Sequence, residues 1–173
     1  MNLKLNQIKE VSRKRLEELY GDHIDQAILE RYKTEMELIE NNHYEDIYFL
    51  AYLIAKKAQE DNEIILLRSS SSSSFIAYLL GISNINPIQY KIPAEIFINS
   101  EKIYIMLGFS KEYVNAIYKY VIGILEEESK IYEKGDYFYL IEHKNCRIWL
   151  SGLEEMTILK KLETGWGNGS AVK

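Results

Sequence analysis

Arg68 followed by six serines, Ser69 to Ser74, is the stretch of this sequence best equipped for chemistry. It lies between Ile64–Leu67, an apolar run that reads as a buried strand, and the helical apolar spacing Phe75, Ile76, Leu79, Leu80. Gly81 can close that helix, and Asn86-Pro87 starts a turn. Strand, polar loop and helix N-terminus in this order make an anion site, because a first helical turn presents free N–H groups and the positive end of the dipole. Serine hydroxyls and a guanidinium add donors suited to phosphate. A plain helix cap without a ligand is the competing reading, and spacing alone does not choose between the two. Serine nucleophiles would need a base within hydrogen-bond reach. His23, His43 and His143 stand in no recognisable arrangement for that, so a serine hydrolase is not expected. Neither His23 nor His43 has a Cys or a second His at ligand spacing, so no metal site is expected. The single cysteine, Cys146, excludes an internal disulfide and a multi-Cys zinc site.

The elements that must hold the loop are mostly helical upstream. Residues 3–20 read as a helix with Leu3, Ile8, Val11, Leu16 and Leu19 apolar, ended by Gly21. Its basic middle, Lys9, Arg13, Lys14 and Arg15, alternates with Glu10, Glu17 and Glu18, the pattern of a solvated face with local ion pairs. A second helix, 25–41, is capped by Asp22 or Asp25 and turns Ile28, Tyr32, Met36 and Ile39 inward. A third, 45–60, places Ile47, Leu50, Ala51, Ile54 and Ala58 on one stripe. A strand over 63–67 leads into the loop, and a helix over 72–80 leaves it. Downstream, 102–107 reads as a core strand, Ser110 as a simple cap, and 111–128 as a long helix. Strands over 137–142 and 146–150 flank His143-Lys144-Asn145 as a hairpin, and a closing helix is expected over 153–163 before a frayed tail.

At 173 residues, 47 % hydrophobic and 12 % aromatic with 14 tyrosines, the chain can bury a real core and is not disordered. A net charge of −5 gives no general attraction for phosphate backbones, so a broad nucleic-acid surface is not expected. Apolar runs fall short of a membrane span and Met1–Glu10 is polar, so a cytoplasmic protein without membrane association is expected. The chain is divided as 1–62, a helical region; 63–128, a core around the loop; and 129–173, a hairpin with a closing helix, with all three expected to form one compact domain.

The loop resembles the Gly-Ser loop of the bacterial DNA polymerase III α subunit, a C-family polymerase, and most of all its PolC type. That family carries Arg-Gly-Ser, two further residues, Ser-Ser or Gly-Ser, an apolar helix and an Ile-Thr-x-x-Asn-Pro-like turn. Here stand Arg68-Ser69-Ser70, Ser73-Ser74, Phe75-Ile76-Ala77-Tyr78 and Ile82-Ser83-Asn84-Ile85-Asn86-Pro87. Upstream, Arg13–Asp22, Glu30–Asn42 and Ile47–Asp61 are similar to the helices before that loop. The resemblance covers roughly residues 11–113, in order, and has no counterpart from Glu126 onward.

It implies an α/β (α+β) fold: a polymerase palm of the nucleotidyltransferase kind, with a helical N-terminal third packed on a small mixed sheet. It assigns phosphate or nucleotide binding to Arg68, Ser69, Ser70, Ser73 and Ser74. The family holds two metal ions with an Asp-x-Asp on the strand after the loop, where period two puts both carboxylates on one face. Anchored on Phe109-Ser110, those positions fall on Tyr104 and Met106, neither of which can ligate Mg²⁺ as required. The loop also carries serine where the family has glycine, which costs close backbone approach. Fingers, clamp-binding and primer-handling regions are expected to be missing. The copy thus reads as degenerate, with no catalytic residues, no metal and no cofactor. The expected role is that of an interaction protein acting on a replication or host-defence partner, borne by a phage or mobile element. A residual nucleotide- or phosphate-binding protein, or a residual polymerase-related enzyme, is the alternative.

Overall fold

The computed structural model describes residues 2–21, 23–98, 103–144 and 146–154. Three helices come first. In α1 (Leu3–Tyr20), the Asn2 side chain accepts from the Leu5 N–H at 3.2 Å, and Gly21 at φ +69° ends the helix. Leu5, Ile8 and Leu16 are buried, whereas Leu3 and Leu19, also among the helix's apolar positions, are exposed. In α2 (Gln26–Asn41), Asp25 caps the Ala27 N–H at 2.8 Å. Its inward stripe buries Met36 and Ile39, half-buries Ile28 and Tyr32, and carries one further member, the fully buried Glu35. In α3 (Glu45–Glu60), Glu45 and Asp46 sit in the first turn, where they complement the helix dipole. Ile47, Tyr48, Ala51, Ile54, Ala55 and Ala58 are buried, so the helix packs on more than one side, and Leu50 is only half-buried.

β1 is two residues, Leu66–Leu67, shorter than the expected 63–67. A 3₁₀ turn over Ser70–Ser73 then replaces the start expected for the next helix, and α4 runs only from Phe75 to Leu79. Consecutive serines favour this because their hydroxyls bond to nearby backbone and compete with helical pairing. A short α5 (Glu95–Ile98) precedes β2 (Tyr104–Ser110), and Ser110 caps α6 (Lys111–Ile124) by accepting from the Tyr113 N–H at 3.3 Å. α6 stops four residues before its expected end, and a strand that sequence reading missed follows: β3 (Ser129–Gly135), paired with β4 (Phe138–His143). β5 (Cys146–Leu153) completes the hairpin, and Leu153, read as a helix start, is its last residue. Glu154 follows it without helical structure, and residues 155–163 of the expected closing helix lie outside the described residues.

The sheet order is β1-β2-β5-β4-β3, with β2–β5 parallel and the other pairs antiparallel. The chain is therefore α+β, with a helical N-terminal part on a small mixed sheet, and the expected neighbours 63–67 and 102–107 do lie side by side. Ile105, Leu107, Phe109, Ile141, Ile148 and Leu150 point to one face and into the core. α6 covers that face: Tyr118 stacks on Tyr139 with ring centroids 4.1 Å apart, and the Tyr139 hydroxyl donates to Asn115 at 2.5 Å. The other face carries Tyr104, Met106, Arg147, Trp149, Phe138 and Tyr132, aligned by register. Among the described residues no helix is long and apolar enough to cross a membrane.

Candidate functional site

β1 delivers Arg68 directly beside β2. The Arg68 N–H donates to the Met106 carbonyl at 2.9 Å, and a Cβ placed on Gly108 would stand 3.7 Å from Arg68 Cδ. The loop then folds against the same strand. Ser71 Oγ donates to the Tyr104 carbonyl at 3.1 Å, Ser72 N–H to the Ser69 carbonyl at 2.8 Å, and Ser73 Oγ to the Ser70 carbonyl at 2.7 Å. Ser69 is buried, and its hydroxyl is without a hydrogen-bond partner. The fold thus brings the start of the serine loop beside the backbone of positions 104 and 106.

The N-terminus of α4 has a different occupant. Ser74 Oγ accepts from Ala77 N–H at 3.1 Å and from the Tyr48 hydroxyl at 3.1 Å, and donates to Glu35 Oε2 at 2.9 Å. The Ile76 N–H donates to the same carboxylate oxygen at 3.1 Å. Glu35 is wholly buried and is neutralised one turn away by Arg31, whose Nε reaches Oε1 at 2.9 Å. The guanidinium also donates to the carbonyls of Ile92 and Ser73, both at 2.6 Å. So the anion at this helix end is the protein's own carboxylate, held by an arginine whose three nitrogens each donate a hydrogen bond. Burial, with Glu35 nearby, raises the Tyr48 phenol well above its ordinary range, although the Ser74 bond opposes the rise. Reading the sequence missed Glu35 and Arg31. The signal was there: Tyr32, Glu35, Met36 and Ile39 share one stripe, and a carboxylate inside an apolar stripe needs a buried partner.

Tyr104 and Met106 share one face of β2, Tyr104 being 43 % exposed. Across the parallel pair they face Arg147 and Trp149. On this face the carboxylate of Glu142 is tied to Arg147 at 2.9 Å. No oxygen donor set for a hard cation forms here among the described residues.

A second constellation links segments far apart in sequence. His143 Nε2 lies 3.0 Å from Asp46, and its Nδ1 lies 2.8 Å from Ser129 Oγ. A serine, a histidine and an aspartate do therefore line up, contrary to the sequence reading of the histidines. Asp46 also accepts from Lys4 and Lys144, each at 2.7 Å. Burial pushes its carboxyl up, but the bonds from Lys144, Lys4 and His143 outweigh this and hold it well below the usual carboxylate range. An aspartate already neutralised by two ammonium groups is a poor stabiliser of an imidazolium, so the arrangement works as a clamp between α1, α3 and the hairpin. Asp46, Glu126 and His143 also have ligand atoms within 4.8 Å of one another. The Lys4 ammonium sits among them, 2.7 Å from Asp46 and 2.5 Å from Glu126, and fills the place of a cation.

Residues 6–132 match the model of a family described as the bacterial DNA polymerase III alpha NTPase domain, and the chain belongs to that family. The match reaches into β3, further than the loop motifs alone. Similar proteins are PolC-type DNA polymerases III. That of Thermotoga petrophila is 32 % identical over 88 residues, which is 50 % of this chain and 6 % of the relative. That of Staphylococcus saprophyticus is 33 % identical over 82 residues, 47 % of this chain and 6 % of the relative. That of Mycoplasma pneumoniae is 36 % identical over 70 residues, 40 % of this chain and 5 % of the relative. The matched part of the chain thus spans about 6 % of the length of these enzymes.

Proposed function

We propose that this chain is a non-catalytic interaction module built on a degenerate C-family palm of the nucleotidyltransferase kind, acting on a protein partner in replication or host defence. The observation that carries the reading is the pair Tyr104 and Met106 on the strand that the serine loop packs against. Two-metal nucleotidyl transfer needs carboxylates there to hold the ions that activate the attacking oxygen and the leaving pyrophosphate. The self-filled N-terminus of α4 supports the same reading, since a triphosphate would meet the Glu35 carboxylate. The face bearing Tyr104, Met106, Phe138 and Trp149 is the proposed contact surface, being aromatic and partly exposed.

Primer extension with pure protein, dNTPs and Mg²⁺ tests the catalytic half. No incorporation is expected, and none after Tyr104→Asp with Met106→Asp, because the loop is an independent defect. Chelator-sensitive incorporation by the unaltered protein would overturn the proposal. Affinity capture from host lysate tests the other half. A partner lost on Tyr104→Ala with Trp149→Ala is expected, and a partner held equally by that variant would move the contact elsewhere.

A second reading keeps phosphate or nucleotide binding at Arg68, Ser69 and Ser70, with Ser73 and Ser74 turned to internal roles. The observation favouring it is the buried Ser69 hydroxyl without a partner, next to the Arg68 backbone. Calorimetric titration with triphosphate on the Ser69→Ala variant decides it: loss of binding there supports the reading, and unchanged binding ends it.

A further inference from the structure

A cavity of about 740 Å³ opens at the end of α4 away from the serine loop, walled by that end, α1 and α3. Its volume is that of a small-molecule site. α1 contributes Lys14, Arg15 and Glu18, and α3 contributes Tyr52, Lys56 and Gln59, each set lying on one helical face. Three cations thus stand with one carboxylate, in a chain whose net charge is −5. Two of the three are uncommitted. In the basic middle of α1, Lys9 is paired with Glu40, Arg13 with Glu17 and Arg15 with Glu18. Among the described residues no carboxylate pairs with Lys14. None pairs with Lys56 either, although its neighbour Lys57 is tied to Asp61 at 2.6 Å.

The α4 wall does not absorb these charges. A helix C-terminus normally offers its last carbonyls to a lysine. Here the carbonyl of Ile76 is taken by the Leu80 N–H, that of Ala77 by the Ile82 and Ser83 N–H groups, and that of Tyr78 by the Gly81 N–H. The same turn seats a neutral donor. Gly81 stands at φ +74°, and a Cβ on it would lie 2.6 Å from the Gln59 amide nitrogen, so glycine leaves the place that this amide fills. The Gln59 amide and the hydroxyls of Tyr52 and Tyr78 have no hydrogen-bond partner among the described residues, so three neutral donors join the cations on the wall. Ammonium and guanidinium groups with neutral donors around a space of this size match a compact ligand of high negative charge density. Linked phosphoryl groups have that density, whereas a peptide spreads its carboxylates along a chain too long for the cavity.

We propose that this cavity binds a small molecule carrying two or more linked phosphoryl groups, with Lys14 and Lys56 as its counter-charges and Arg15, Gln59, Tyr52 and Tyr78 donating to its oxygens. Bare polyphosphate and a nucleoside polyphosphate share this chemistry; the nucleoside adds an aromatic base for the tyrosine rings. The test is calorimetric titration of the full chain with inorganic triphosphate and with ATP. Saturable one-to-one binding that weakens as salt is raised is expected. Tighter binding of ATP assigns the nucleoside, and equal or weaker binding of ATP assigns the bare polyphosphate. Lys14→Ala and Lys56→Ala, both on exposed side chains, should each weaken binding about tenfold, while Lys119→Ala, on an exposed lysine of α6, should not. Absence of saturable binding of both probes would overturn the proposal. So would equal weakening by Lys119→Ala, which is the mark of the general field alone. Binding that survives Lys14→Ala with Lys56→Ala but is lost in Ser69→Ala would also overturn it, by placing the anion at the serine loop.

Discussion

Replacing Glu35 tests the claim that the protein supplies its own anion to the α4 N-terminus. Glu35→Ala removes the acceptor of the Ile76 N–H, the partner of Ser74 Oγ, and the counter-charge of Arg31, whose side chain is only 12 % exposed. Breaking a buried pair from one side leaves an uncompensated charge and costs about 3–5 kcal/mol. A domain of this size is stable by roughly 5–15 kcal/mol, so the loss is a large share of the whole. Glu35→Gln keeps the volume and one carbonyl oxygen for Ile76, but turns an amide N–H₂ toward the Arg31 Nε–H. Losing one charge-assisted bond there costs about 1.5–3 kcal/mol. Urea unfolding followed by circular dichroism measures both. The alanine variant should also be stabilised by added phosphate more than the unaltered protein is, because its helix end is vacant and Arg31 stands behind it. A loss below about 1 kcal/mol for Glu35→Ala, or equal phosphate responses in the two proteins, would refute the reasoning.

Other outcomes follow from the packing and the clamp. At Gly152 a Cβ would lie 2.7 Å from Tyr137 Cβ, 3.0 Å from Val114 Cγ1 and 3.2 Å from the Lys111 Cα, so Gly152→Ala should cost about 1–3 kcal/mol. Gly123 in α6 has open space around its Cβ position, and Gly123→Ala should gain about 0.5–1 kcal/mol in the same unfolding experiment. The depressed Asp46 carboxyl gives stability that is complete above the unfolded value, about pH 4, and is lost as pH falls toward the folded value. Melting temperature recorded from about pH 7 to about pH 2 should fall less steeply for Asp46→Asn below about pH 4; parallel curves would show that the clamp does not carry the acid response.

Much of this fold is legible because its elements obey simple periods. α1, α2 and α3 begin and end within a residue of their expected bounds, since each has an apolar stripe and a clear stop. β2 reads as a strand from its β-branched and aromatic residues. β3 does not: Ser129–Gly135 holds Lys130, Glu133 and Lys134, because an edge strand is kept charged against further pairing. The adjacency of the loop and β2 is legible from motif order, as Arg68 N–H and Ser71 Oγ bond to the Met106 and Tyr104 carbonyls. What fills the helix end is not, because a motif names the place for an anion and not its source. The Asp46–His143 contact bridges 97 residues, and no spacing rule reaches so far.

The parallel seam between β2 and β5 sets an order in time. β2 waits with one edge open while α6, β3 and β4 are made, and the last of the described strands, Cys146–Leu153, closes it. The family match ends at residue 132, so the strand that seals the centre of the sheet lies wholly beyond it. Closure across so many residues is slow, and an unsealed strand with Ile105, Leu107 and Phe109 on one side is a template for pairing with other chains. The vulnerable moment for this protein is thus its synthesis. A nascent chain stalled before Cys146 presents the apolar face of β2 with its partner edge unguarded.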